Sequence, residues 1–195
     1  MAVFLALLMR SFSDQPALQA LAIICLSIVA AIYAVFTNHL LNKRKRKVAD
    51  ITARFWRLSL SNLVLAAVFS VINLSYQVPV AIGVLMIYGF AISVIMGMLQ
   101  KIVPFLSYLH LQRRCIGNFE LLKTLPHMGN FIPASRSRWQ FRLHAAALLA
   151  LLLTTTTSSF ATPAAIVMAV DFTWLGFTLT SAACLYRKTA LRIAC

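Results

Sequence analysis

Residues 21–47 read LAIICLSIVAAIYAVFTNHLLNKRKRK, an uncharged apolar run followed by an unbroken block of cations. A helix rises about 1.5 Å per residue, so about 20 apolar residues cross a hydrocarbon core of about 30 Å. Lysine and arginine beside such a run hold that end in the cytoplasm. The stretch therefore predicts a membrane-spanning helix that runs from outside to inside. Of the 18 Lys and Arg residues, all but Arg10 lie within 43–57, 101–142 and 187–192, so the apolar segments between these blocks follow the same rule.

The composition points the same way. A hydrophobic fraction of 61%, a mean hydropathy of +0.85 and only four acidic residues (Asp14, Asp50, Glu120 and Asp171) exclude a soluble domain of 195 residues. The net charge of +14 sits beside apolar spans rather than on one face of a soluble fold, which argues against nucleic acid. Anionic head groups are the expected partner, at about 1 kcal/mol per cation near the surface. Cys25, Cys115, Cys184 and Cys195 form no CxxC and no close pair, so no disulfide is expected.

The fold read from this pattern is all-α: a polytopic transmembrane helix bundle with five full spans and a partial or interfacial N-terminal helix. The spans fall near 17–41, 58–74, 80–111, 144–160 and 162–186, and 112–143 forms a cytoplasmic loop. The third span is long for one crossing, and Pro104 is the expected place for it to bend or emerge. Thr162 and Pro163 open the fifth as cap and first helical residue. Residues 118–125 read as a short interfacial helix, with Pro126 and Pro133 ending or bending helices in that loop. Residues 1–9, MAVFLALLM, are too short to cross. They fit a weak signal, an interfacial segment or, preferably, the remainder of a helix in a longer protein. The amino terminus is then outside and the carboxyl terminus cytoplasmic, in a bacterial inner membrane.

Two groups of residues offer chemistry. His39, His110, His127 and His144 all fall near cytoplasmic ends of spans, and imidazoles from different helices at one depth can hold haem iron, copper or zinc. Met128 adds a soft sulfur beside His127. Against this, histidine is common at the membrane interface, no pair has i, i+4 spacing and no carboxylate is expected nearby to orient a ring. Asp171 is the only acid within a span, so it must face the bundle interior, be protonated or be paired. Lys101 is one possible partner. The hydroxyl run Thr154, Thr155, Thr156, Thr157, Ser158 and Ser159 either lines a polar path with Asp171 or bonds back to its own helix. Asn62 and Asn73 share one face of the second span, and Gly83, Gly89 and Gly97 allow close packing in the third. No Walker motif, GxGxxG, HExxH or GxSxG occurs, so no catalytic residue is assigned.

The segment GMLQKIVPFLSYLHLQ at 97–112, followed by Leu125-Pro126-His127-Met128, resembles a segment of uncharacterised bacterial polytopic membrane proteins with a KIVPFL-x-x-LH pattern. Some of those are distantly similar to haem–copper oxidase subunit I and to haem- and copper-containing proteins of the nitric-oxide response. The resemblance covers about a fifth of the chain. It implies a haem or copper site, with His110 carried over first and Lys101, Pro104, His127 and Met128 next. The closely spaced histidines of the oxidases are absent here.

The leading expectation is a haem- or metal-handling membrane module of respiratory or stress-related role, using His110, His127 and His144, with His39 in reserve. A transport or proton-conducting component built on Asp171 is the second. A structural subunit, joined to copies of itself or to other membrane subunits, is the third.

Overall fold

The computed structural model describes residues 16–43, 50–74, 79–116 and 123–194, and among them every regular element is helical. Helix α1 is Pro16–Asn42 and α2 is Ile51–Ile72. A third long helix, α3, runs Pro79–Arg114, its middle an eight-residue π-helical segment at Leu85–Ile92. A single turn, α4, follows at Met128–Phe131, then α5 at Ala134–Thr154 and α6 at Ala161–Ala194. The expected N-terminal segment at 1–9 and most of the expected helix at 118–125 lie outside the described residues.

Four of these helices, α1, α2, α3 and α6, are long and apolar enough to cross a membrane, compatible with a multi-pass membrane protein. Helix α5 does not meet that measure. Arg136, Arg138 and Arg142 punctuate its first half and His144 follows, so only 145–153 is unbroken apolar sequence. At about 1.5 Å per residue that covers roughly half of a bilayer core. The fourth expected span at 144–160 is corrected in both directions. The helix begins at Ala134, inside the segment read as loop, and stops at Thr154, ahead of a 3-10 turn at Ser158–Phe160.

Asp50 caps α2, its Oδ1 accepting from the Thr52 N–H at 3.2 Å. Its Oδ2 meets the Lys101 ammonium at 3.3 Å on the exposed surface, so Lys101 pairs with Asp50 and not with Asp171. Pro104 lies buried inside the helical run of α3, which continues past it to Arg114. The irregular part of α3 is the π segment, a full turn and more before the proline.

Helix α2 packs against both α1 and α3, and α6 packs against α5 and the second half of α3. Two glycines set the α2–α3 distance. A Cβ on Gly97 would stand 2.8 Å from Phe55 Cβ, and one on Gly89 would stand 2.8 Å from Asn62 Cγ. Asn62 uses this closeness: its amide donates to Leu58 O at 2.7 Å and across to Gly89 O at 3.3 Å. Gly83 faces open space. A core of Tyr88, Ala147 and Leu148 joins α3 to α5, and Leu111, Phe131, Ile132 and Ala182 close the other end of α3 and α6. Helix α1 packs mainly on α2, with Ala34 its one buried side chain among the described residues.

Candidate functional site

Where α3, α5 and α6 meet, five polar side chains are enclosed by apolar ones. Ser93, His144 and Asp171 have no exposed surface, Gln140 has 1% and Tyr88 has 4%. Asp171 is the hub. Its Oδ2 accepts from the Tyr88 hydroxyl at 2.6 Å and lies 2.9 Å from His144 Nδ1. Its Oδ1 accepts from Gln140 Nε2 at 2.6 Å, and the same amide nitrogen lies 3.1 Å from the Asp171 carbonyl oxygen. The other imidazole nitrogen, His144 Nε2, is 2.8 Å from Ser93 Oγ.

Each helix positions its share for a reason readable in its geometry. On α5, Gln140 and His144 are four apart and so occupy one face, one turn above the other. On α3, Tyr88 and Ser93 are five apart, which in an α-helix would turn them about 140° away from each other. The π segment reduces that offset because i→i+5 bonding widens the turn and brings residues five apart toward one face. The Ser93 hydroxyl then lies 3.4 Å from the Tyr88 carbonyl oxygen as well as against His144. The imidazole is fixed by two aromatic rings, stacked on Tyr88 at a centroid distance of 4.6 Å and tilted against Phe55 at 5.7 Å. Phe55 in turn meets Phe141 edge-on and sits against Gly97, so the glycine contact of α2 and α3 supports the histidine.

The donor and acceptor inventory limits the proton positions. Tyr88 O–H and the Gln140 amide both donate to the carboxyl group. With a carboxylate at Asp171, His144 Nδ1–H donates to Oδ2. Two arrangements remain for the outer nitrogen. With a neutral imidazole, Ser93 O–H donates to Nε2. With an imidazolium, Nε2–H donates to Ser93 Oγ and the serine proton turns to the Tyr88 carbonyl. The two arrangements differ by the turn of one hydroxyl, with no heavy atom moved. An isolated buried charge costs several kcal/mol, but here the imidazolium would face a carboxylate with three donors and lie between aromatic faces.

The serine–histidine–aspartate connectivity equals that of a hydrolase relay. Ser93 is wholly enclosed, however, and an acyl group reaches its oxygen only if the helices separate. Gln140 Oε1 is buried without a hydrogen-bonding partner among the described residues, as is Gln100 Oε1.

The other expected site residues take separate places. His39 is exposed in the last turn of α1. His110 is exposed and meets Tyr186 edge-on at 5.8 Å. His127 is exposed too, and its Nδ1 accepts from the Gly129 N–H at 3.2 Å, capping the turn that Met128 begins. Only His144 is buried. Among the described residues no three His, Cys, Asp or Glu side chains are gathered as a metal site. Thr154, Thr155 and Thr156 donate to the carbonyls of Leu151, Leu152 and Leu153 at 2.7–2.8 Å, and Thr157 is exposed with its hydroxyl 3.3 Å from that of Thr156. The threonine run thus bonds to its own backbone rather than to Asp171. Tyr88, Ser93 and Gln140 were not foreseen. The Gln140–His144 spacing was a usable signal, whereas Tyr88 and Ser93 share a face only because of the π segment.

Comparison with protein-family models, with curated proteins and with solved structures finds no match to this chain.

Proposed function

We propose that the chain is a multi-pass membrane protein that exchanges protons through the His144–Asp171 pair, as a proton-conducting or proton-coupled transport component. The observation that carries this reading is the buried chain from Ser93 Oγ through His144 to Asp171, whose heavy-atom positions accommodate two proton arrangements. A purely structural cluster needs only one. The basic segments favour an outside amino terminus and a cytoplasmic carboxyl terminus in a bacterial inner membrane.

Helix α5 is the fifth membrane-embedded helix in this reading. Its arginines lie at the cytoplasmic boundary, where long cationic side chains reach water. Arg142 lies over the Trp139 ring at 5.2 Å and Arg136 over Phe177 at 5.2 Å, as expected of cations held at an interface by aromatics. Gln140 lies between Arg138 and Arg142, so the buried carboxylate is nearer the cytoplasmic face than its position in the α6 sequence implies. Protons would then enter from the cytoplasm. The haem or copper reading would need ligands that His39, His110 and His127 do not bring to His144.

The test is proton flux into liposomes containing the purified protein, followed with a pH-sensitive dye under an imposed potential. Asp171→Asn, nearly isosteric, should reduce flux at least tenfold while the protein remains folded. Ser93→Ala should also reduce flux, since it deletes the hydroxyl that turns. Wild-type flux in both folded variants would defeat the proposal.

A further inference from the structure

We propose that the groove between α1 and α2 binds one anionic glycerophospholipid, with its phosphate on Arg57. The groove holds about 440 Å³ and changes character along its length. Asn38, Asn42, Arg57 and Ser61 line one end, and Val35 and Val64, deeper along the two helices, line the other. That gradient matches a lipid lying along the helices, phosphate at the polar end and acyl chain against the valines. The end bearing Arg57 lies toward the C-terminal end of α1 and the N-terminal end of α2, which places it at head-group depth on the membrane orientation proposed above.

Charge complementarity selects the occupant. The Arg57 guanidinium donates to Asn42 Oδ1 at 3.0 Å, a neutral partner that orients it along the groove. Of the two acids among the described residues, Asp50 is paired with Lys101 and Asp171 is enclosed with His144. Arg57 therefore has no carboxylate among the described residues, and the planar guanidinium is suited to bidentate contact with phosphate. Ser61 O–H now donates to Leu58 O at 2.8 Å, and the asparagine amides at positions 38 and 42 are donors at the same end. A zwitterionic lipid would offer the same phosphate but bring a second cation to the end of the groove that bears Arg57.

Native mass spectrometry of the full chain in mild detergent tests this, with phosphatidylglycerol and phosphatidylcholine of the same acyl chains titrated separately. Wild type should retain one phosphatidylglycerol with about tenfold preference over phosphatidylcholine, on the scale expected for a charge-assisted phosphate contact. Arg57→Gln should abolish the preference. Ser61→Trp, which fills the groove and leaves the charge, should weaken phosphatidylglycerol binding as well. Arg54→Gln, an exposed cation outside the groove, should leave it intact. Equal binding of the two lipids by wild type, or unchanged selectivity in Arg57→Gln, would overturn the proposal. Displacement of the lipid by millimolar inorganic phosphate would also overturn it, because the ligand would then be the free anion. None of these residues touches the Asp171 cluster, so loss of lipid selectivity and loss of proton flux are separate results.

Discussion

Asp171 draws its three side-chain donors from two other helices, and each can be removed alone. His144→Phe keeps a ring between Tyr88 and Phe55 but deletes both nitrogens. It should cost about 2–6 kcal/mol, about 1–3 for each of the two buried groups that lose a partner, Asp171 Oδ2 and Ser93 Oγ, read as a fall in the thermal midpoint in detergent. Gln140→Leu leaves Oδ1 without its donor and should cost about 1–3 kcal/mol by the same assay. If Gln140→Leu proves the more damaging of the two, the ranking of partners is wrong. At this scale the sequence was partly legible. A lone acid in an apolar span must find partners, and that much follows from Asp171 by itself. Which partners it finds depends on the docking of three helices, and the nearest cation in the alternatives weighed, Lys101, is held instead by Asp50 at the surface.

Helix α3 depends on its π segment for register. Deleting Ala91, an exposed residue within that segment, should restore regular α-helical bonding and leave Tyr88 and Ser93 four apart, still on one face. Ser93, Met96, Gly97 and Gln100 then keep the faces they now occupy. The variant should keep its folded thermal transition in detergent and its proton flux, and loss of the transition would mean that the segment does more than absorb one extra residue. Gly97→Val should cost about 1–3 kcal/mol through overpacking against Phe55, measured in the same way. Replacing Thr155 and Thr156 together by valine should leave flux unchanged, because both hydroxyls are exposed and bonded to their own helix. Hydropathy located four of the helices, and it misplaced α5 because polar and apolar halves share one continuous helix. No hydropathy window signals a π segment in an unbroken apolar run.

For the molecule as a whole, the placement of α5 decides where the carboxylate sits relative to the two faces of the membrane. In a cysteine-free background, Arg138→Cys should react with an impermeant maleimide from the cytoplasmic side and Leu149→Cys should not react from either side. Reaction of Leu149→Cys would place α5 outside the hydrocarbon core. The buried cluster also has an order in the chain: Tyr88 and Ser93 come first, then Gln140 and His144, and Asp171 last. Synthesis proceeds from the amino terminus, so every partner of the acid is already in the membrane when α6 emerges. An unaccompanied carboxylate would be costly in lipid, yet here it arrives to a waiting set of donors. Biogenesis thus has a built-in dependence: α6 should insert poorly when α3 or α5 is missing, and Asp171→Leu should restore its insertion while leaving the finished protein without the carboxylate of its buried cluster.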